Sequence, residues 1–220
     1  NSYGLVKTEK TGKTDITNPH GNVDVSEVGG DLILENSYED IEVRGVQGGC
    51  RITGPHSSLT VSNIQGELII DHSYGEIRLE NIEKSVTVDG THSTVSGKGL
   101  RGSAEIQSSY EKITLVDVGP AKIRAHHCDV EIDRANGIVD ITDNYGRLQI
   151  SNVQGNLKVD GPNLEIFAKA VNAEDIWISS SHEHVELLGF TGKATVLLTH
   201  GDVALEPDSI TGPLEIQAAV

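Results

Sequence analysis

The sequence is short of aromatic residues, methionine and proline, and each shortage narrows the range of folds. Aromatic residues make up 4% of the 220-residue chain, methionine is absent, and there are 6 prolines. A conventional globular core uses more aromatic side chains, because each one buries a large area. Glycine, by contrast, occurs 24 times. Many glycines among abundant Val, Ile and Leu favour an all-β chain of short strands and tight turns.

Positive charge is also scarce, with 17 basic against 33 acidic residues and a net charge of −16. This balance excludes nucleic acid as a partner, because phosphates call for a basic surface. It also argues against an electrostatic hold on anionic lipid. No stretch approaches the roughly 18 consecutive apolar residues of a membrane-spanning helix, so we predict no membrane span.

Two cysteines, Cys50 and Cys128, are too few for a disulfide framework. The chain shows no signal peptide and opens with Asn rather than Met. We interpret this opening as that of a mature exported chain or of a fragment, and expect an extracellular or cell-envelope location.

An apolar residue recurs about every 18 residues from Val23 onward. The recurring positions, called anchors below, are Val23, Ile41, Leu59, Ile77, Val95, Ile113, Val130, Leu148, Ile166, Val185 and Val203. All spacings are 18 except for one of 17, before Val130, and one of 19, before Val185. Such self-similarity is the signature of a repeat architecture.

Within each copy, further apolar residues stand two, five, nine and eleven places after the anchor, often with glycine at the seventh place. One clear copy consists of Leu59, Val61, Ile64, Gly66, Leu68 and Ile70. The alternation predicts two short strands per copy with one face buried. The glycine, as in Gln65-Gly66, predicts a tight corner between the strands.

Two such short strands cannot bury their apolar face alone, so successive copies must stack. We therefore predict a right-handed single-stranded parallel β-helix, a β-solenoid of about 11 rungs of 18 residues, over residues 21–220. Left-handed hexapeptide solenoids repeat a residue every six positions, a rule that this pattern does not follow. Residues 1–20 are interpreted as an N-terminal lead-in or cap.

Tyrosine and histidine alternate at the position three residues before the anchor. This column reads His20, Tyr38, His56, Tyr74, His92, Tyr110, His127, Tyr145, Asn163, His182 and His200. It predicts a ladder of rings stacked at about 4.8 Å, the distance between neighbouring strands. A line of metal ligands or of proton carriers is the alternative, but the alternation separates most histidines by roughly 9.6 Å, too far for one ion. Only His182 and His200 adjoin, with His184 and Asp202 nearby.

Other polar groups have both a chemical and a structural interpretation. Asp71 and Asp89 take equivalent places in adjacent copies, as a glycosidase carboxylate pair would, but we expect a solvated face. The segment HHCD at 126–129 reads like a metal site, although neighbouring side chains of an extended segment diverge. Cys50 falls at an inward position far from Cys128, so we expect a small buried residue and no disulfide. We predict no catalytic, cofactor-binding or metal-binding residues.

Three bulky aromatic residues, Phe167, Trp177 and Phe190, fall near the 19-residue spacing. Phe167 takes an outward position. If Trp177 also points outward, the two rings would make a docking patch for a glycan or a protein. Alternatively, the extra residue of this copy turns Trp177 inward, which is the interpretation we favour. The last copy ends LEIQAAV without a visible cap, so we expect the protein to continue past Val220 or the ends to associate.

The copies SYGEIRLENIEKSVTVDG and NYGRLQISNVQGNLKVDG resemble the repeats of a bacterial adhesin-like family of unknown function, including the auto-transporter-adhesin-head type. The resemblance runs from about Gly21 to Val220. It implies a β-helix in an exported or envelope-associated protein, with no established catalytic residues. Our first functional hypothesis is therefore a non-enzymatic, adhesin-like binding or structural module. The alternatives are a self-assembling scaffold similar to the bactofilins and, third, a carbohydrate-active β-helix enzyme.

Overall fold

Strands follow the predicted copies along the whole described chain. The computed structural model describes residues 4–219; residues 1–3, from the predicted lead-in, and Val220, the predicted end of the solenoid, lie outside this range. Within it the chain is all β, without helix, and its strands pair in parallel. The strands are β1 (Val6–Thr11), β2 (Thr14–Asn18), β3 (Val23–Val28), β4 (Leu32–Asn36), β5 (Ile41–Val46), β6 (Cys50–Thr53), β7 (Ser58–Ile64), β8 (Leu68–Ile82), β9 (Val86–Leu100), β10 (Ala104–Ser109), β11 (Lys112–Val118), β12 (Ala121–His126), β13 (Asp129–Asn136), β14 (Val139–Thr142), β15 (Gly146–Gln154), β16 (Leu157–Asp160), β17 (Leu164–Ser181), β18 (Val185–Thr199), β19 (Val203–Ser209) and β20 (Leu214–Ala219).

The register confirms the predicted β-solenoid. Each anchor pairs with the next one, as Ile41 does with Leu59 and Leu59 with Ile77. Every anchor from Val23 to Val185 is buried, together with the apolar residues two, five, nine and eleven places on. After Ile113 the last two of these places come one residue earlier, and after Ile166 one residue later. The core is therefore a continuous stack of aliphatic columns inside the coil, which explains how the chain folds with so few aromatic residues.

The predicted lead-in is the first coil of the solenoid. β1 pairs with β3 and β2 with β4, so that Val6 lies beside Val23 and Ile16 beside Leu34. Threonine takes three places that are apolar in the next coil, since Thr8, Thr11 and Thr14 pair with Val25, Val28 and Leu32, and this hides the repeat in the first coil. The solenoid therefore has about 12 turns rather than 11.

Two corners of each coil place a residue in the left-handed backbone region. The first corner lies four residues after the anchor, and its members are Lys10, Glu27, Gly45, Asn63, Asn81, Gly99, Asp117, Arg134, Asn152, Ala170 and Gly189. The second is the Tyr/His column, from His56 (φ 58°) to His200 (φ 60°). A left-handed φ costs most L-residues about 1 kcal/mol, and least for Gly, Asn and Asp. Stacking between coils offsets this cost at every turn.

The predicted glycine corner is confirmed at Gly66. A Cβ there would lie 2.1 Å from the carbonyl oxygen of Gly48 in the preceding coil. Glycine is therefore required by the close approach of two coils rather than by an unusual φ.

The last described coil packs less completely than the others. β19 carries Pro207 and shifts register against β18 on either side of Phe190. In β20, Leu214 and Ile216 remain 40% and 48% exposed. At this end, side chains in positions that are buried in the other coils therefore leave apolar surface exposed.

Candidate functional site

The Tyr/His column forms the predicted ladder. Eight rings stack in sequence from His20 to Tyr145, with centroids 4.8 to 5.6 Å apart and planes within 13° of parallel. Offset stacking of this kind is a favourable geometry for aromatic pairs. The rings thus line one edge of the rod as a regular series.

The ladder lies on the surface of the rod. Its four tyrosines are 47% to 57% exposed, and His56 and His127 are also exposed. Each ring covers the faces of its neighbours, so that the ring edges meet solvent. From His56 onward, the left-handed φ at each position directs the side chain out of the corner in the same way from coil to coil.

The alternation is interrupted at Asn163 and resumes as a histidine pair. His182 and His200 stack at 5.0 Å, with planes 8° apart. Face-to-face rings direct their nitrogens side by side rather than toward a shared ion. Residues 4–219 contain no group of three or more His, Cys, Asp or Glu side chains suited to hold a metal.

The HHCD segment separates onto two sides of the wall. His126 and His127 are exposed and in contact, with ring centroids 4.5 Å apart. Cys128 turns inward and is buried. The side chain of Cys128 therefore diverges from its neighbours, as the sequence predicted, whereas those of His126 and His127 lie together.

A column of buried polar residues runs just inside the ladder, a feature that the sequence reasoning missed. Its polar members are Asn18, Asn36, His72, Ser108, Asp143 and Ser180, two residues after the last apolar position of each coil. Reading that column down the sequence would have shown it, although glycine and alanine interrupt it. Asn18 Oδ1 and Asn36 Oδ1 have no hydrogen-bond partner among the described residues.

His72 sits between two serines of adjacent coils. Its Nε2 lies 3.0 Å from the carbonyl oxygen of Ser57, and its Nδ1 lies 2.8 Å from the hydroxyl of Ser93. Burial lowers the pKa of His72 below its usual value. All three residues are buried, so the cluster resembles a triad in composition yet offers no access to a substrate.

Asp143 is a buried carboxyl beside Cys128. It accepts backbone hydrogen bonds from Asn144 at 2.6 Å and from Cys128 at 3.3 Å. Burial raises the pKa of Asp143 to about 6 and also raises the pKa of the Cys128 thiol. Cys50 is buried as predicted, and burial raises its pKa to about 12. Both cysteines are free and neutral at physiological pH.

Asp71 and Asp89 are direct neighbours, as the sequence predicted. They pair in register between β8 and β9, and both are exposed. They lie on an outward column of the wall rather than in a cleft.

The three aromatic residues of coils ten and eleven do not form one patch. Phe190 is buried. Trp177 is partly exposed between buried Ile176 and Ile178, so the favoured inward placement is wrong. The extra residue is absorbed by a register shift between Asn172 and Asp175, before Trp177 is reached. Trp177 and Phe167 belong to different strand segments of the coil and make separate cation–π contacts.

Those contacts hold each ring against its own neighbour. The Arg147 guanidinium carbon lies 5.8 Å from the Phe167 ring centroid, and Lys158 Nζ lies 5.7 Å from that of Trp177. Each cation covers part of the adjacent aromatic face. The two rings are therefore separate surface features.

An open groove follows the first left-handed corner in the middle of the rod. Its volume is about 680 Å³, and its polar lining consists of Arg101, Asp117, Arg134, Asn136, Asn152 and Gln154. A second groove of about 550 Å³ lies along the same corner nearer the N-terminus, lined by Lys10, Glu27, Gln47, Asn63 and Gln65 among others. The corner thus presents amides and charges of both signs along the rod.

Hydrogen bonds fix the side chains of the central groove. Arg134 Nε donates to Asp117 at 2.5 Å, and Asn152 Nδ2 donates to Asp133 at 2.7 Å. The Arg134 guanidinium holds the pKa of the Asp117 carboxyl below its usual value. The groove therefore combines ionised acceptors with fixed N–H donors.

No protein-family model, curated protein or solved structure matches this chain. The family resemblance given above therefore depends on the repeat pattern alone. Residues 4–219 include no helix of the length and apolarity needed to cross a membrane.

Proposed function

We propose that this chain is a non-enzymatic, adhesin-like binding module, located outside the cell or in the cell envelope, that recognises an extended glycan. The observation that carries the proposal is the polar groove along the first left-handed corner. The connections between described strands are four residues or fewer, so no long loop walls a catalytic cleft.

The chemistry of the groove favours a glycan over other ligands. Sugar hydroxyls both donate and accept hydrogen bonds, and the groove offers Asp117 as an acceptor beside Arg134 and Asn152 as donors. A peptide that binds by strand addition needs a free sheet edge. Along the middle of the rod, both edges of each strand are paired with neighbouring coils. The net charge of −16 disfavours polyanions.

Retention of this protein on columns of immobilised neutral polysaccharide tests the proposal. Columns that carry immobilised protein instead of polysaccharide are run in parallel, to detect a protein ligand. Arg134→Ala is expected to weaken glycan retention at least tenfold, because it removes a charged donor from the groove. Arg78→Ala is the matched control, since Arg78 is also exposed and paired with a carboxylate, but does not line the groove. Equal retention by both variants, or retention on protein alone, would contradict a glycan groove.

A self-assembling scaffold is the second candidate, supported by the exposed Leu214 and Ile216 at the end of the rod. Stacking of a second copy there would cover these apolar side chains. Electron microscopy at rising ionic strength provides the test, because salt screens the repulsion between acidic rods. Filaments that disappear in Ile216→Lys would support the scaffold, and single rods under all conditions would rule it out.

A further inference from the structure

The break in the ladder at Asn163 leaves an opening between two exposed rings. Tyr145 stacks on His127 at 4.8 Å, and His182 stacks on His200 at 5.0 Å. No described ring lies between Tyr145 and His182. The uncovered faces of these two rings look toward each other across the coil that carries Asn163.

The backbone continues through the break without change. Tyr145 N–H donates to the Pro162 carbonyl at 3.2 Å, and Asn163 N–H donates to the Ser181 carbonyl at 2.9 Å. Asn163 has φ 54°, close to the 53° of His92 elsewhere in the column and in the same left-handed region as Tyr145 and His182. Its side chain therefore leaves the corner in the same direction as the rings. The break is a missing ring rather than a disrupted coil.

The side chain of Asn163 fills only the base of the opening. The carboxamide group takes the place of the first atoms of a phenol or imidazole ring and leaves the outer part of the ring position open. Asn163 is partly exposed, and its side-chain amide makes no hydrogen bond within residues 4–219. It therefore offers one acceptor and two donors at the base of the opening, between two aromatic walls.

We propose that this opening, formed by Tyr145, Asn163 and His182, binds a planar heteroaromatic ring. The ring would stack on both walls, and its polar edge would bond to the Asn163 amide. The walls lie two strand spacings apart, about 9.6 Å, so a ring midway would stand about 4.8 Å from each. That is the spacing that the ladder keeps elsewhere, down to 4.8 Å between His127 and Tyr145.

The chemical class follows from shape and charge. A flat ring fits the spacing, whereas a puckered ring is too thick to stack on both walls. Neutral or cationic heterocycles are favoured over aromatic acids, because the chain carries a net charge of −16. Adenine is a suitable probe, with cyclohexanol and benzoate as controls for planarity and charge.

An NMR titration that follows the ring protons of Tyr145 and His182 tests the site. Adenine is expected to change the chemical shifts of the ring protons of both residues. The dissociation constant should be roughly 1 mM, as expected for a ring that stacks on two faces and makes a hydrogen bond. The controls are expected to leave both sets unshifted. The absence of a saturable shift with adenine would overturn the proposal.

Two variants separate the site from general surface binding. Asn163→His supplies the ring that the alternation would place there, so it should abolish adenine binding; Asn163→Tyr serves the same purpose if the histidine variant does not fold. His92→Asn removes a ring between Tyr74 and Tyr110 and should create a second site of similar affinity. Adenine binding that persists in the filled variant, or no new site in His92→Asn, would show that the opening is not the binding determinant.

Discussion

The ring-bearing residues of the ladder stabilise the rod from outside its core. Tyr74 has both ring faces covered, by His56 and His92 at 5.0 Å each, yet it is 53% exposed. It also holds a left-handed backbone, with φ 59°. Its contribution to stability is therefore the stacking energy of two pairs, reduced by solvent and by the backbone cost.

Tyr74→Ala is expected to destabilise the protein by about 1 kcal/mol, since an exposed stacked ring leaves no cavity when it is removed. A buried tyrosine would cost about 3 kcal/mol or more. Tyr74→Gly should be more stable than the alanine variant by about 1 kcal/mol, because glycine adopts the left-handed φ freely. Urea unfolding of the three proteins measures both differences. A cost near that of a core residue would show that the column is packed rather than solvated.

Asp143 makes the stability depend on pH. An unfolded aspartate has a pKa of about 3.9, whereas burial raises that of Asp143 to about 6. The folded protein therefore keeps a proton between these values that the unfolded chain has lost. The contribution of Asp143 to the free energy of unfolding should fall as pH rises from about 4 to about 6 and remain lower above that, by roughly 3 kcal/mol.

His72 acts with the opposite sign. Burial lowers its pKa, so the stability it contributes is present above the unfolded value of about 6.5 and is lost as pH falls through the folded pKa. The two residues therefore oppose each other, and the whole-protein pH profile does not isolate either one.

Asp143→Asn isolates the carboxyl, because it removes the ionisation and keeps an acceptor. The variant should melt at a higher temperature than the parent at about pH 7.5, and the gap should narrow steadily as the pH falls to about 4, near the pKa of an unfolded aspartate. Thermal melts of the pair across this range give the difference directly. A gap that is constant with pH would mean that Asp143 does not ionise in this window.

At the scale of the coil, the close approach of glycines limits what the corners accept. Gly66→Ala places a Cβ 2.1 Å from a backbone oxygen of the preceding coil. Because backbone cannot move aside as a side chain can, a loss of more than about 2 kcal/mol is expected. Gly12 is the matched control, since a Cβ there would meet nothing within 4 Å, and its alanine variant should change the melting temperature little. Similar melting of both variants would show that the coils can separate at the corner.

The coil is also the scale at which the sequence was most informative. Anchor spacing and alternation predicted the strands and the ladder, because one inward face must repeat at every turn. The coil at residues 6–18 escaped notice because Thr8, Thr11 and Thr14 are polar at inward positions. The orientation of Trp177 could not be read from spacing, since it depends on which corner absorbs one extra residue. His72 and Asp143 were missed because burial of a polar group depends on partners in other coils, such as Ser57 and Cys128.

The whole molecule carries its charge along a narrow rod, and like charges recur in register between coils. Asp71 lies directly beside Asp89, and opposed like charges on neighbouring strands are destabilising. Surface ion pairs such as Arg147–Glu165, with nitrogen and oxygen 2.6 Å apart, offset little of this repulsion because exposed pairs contribute little.

Salt is therefore expected to stabilise the protein. The melting temperature should rise between about 20 and about 300 mM NaCl, as screening shortens the reach of the repulsion. Asp71→Lys, which turns one like pair into an opposite pair, should melt higher at low salt and gain less from added salt. A melting temperature that falls with salt would mean that the surface ion pairs outweigh the excess of acid.

The alternation of tyrosine and histidine also constrains how such a rod can lengthen or shorten. Gain or loss of a single coil would bring two rings of one kind face to face. It would also shift the alternation of all rings beyond that point by one place. Gain or loss of two coils, the 36 residues that separate Tyr38 from Tyr74, leaves the order intact. A change of length that keeps the alternation of rings must therefore add or remove coils in pairs.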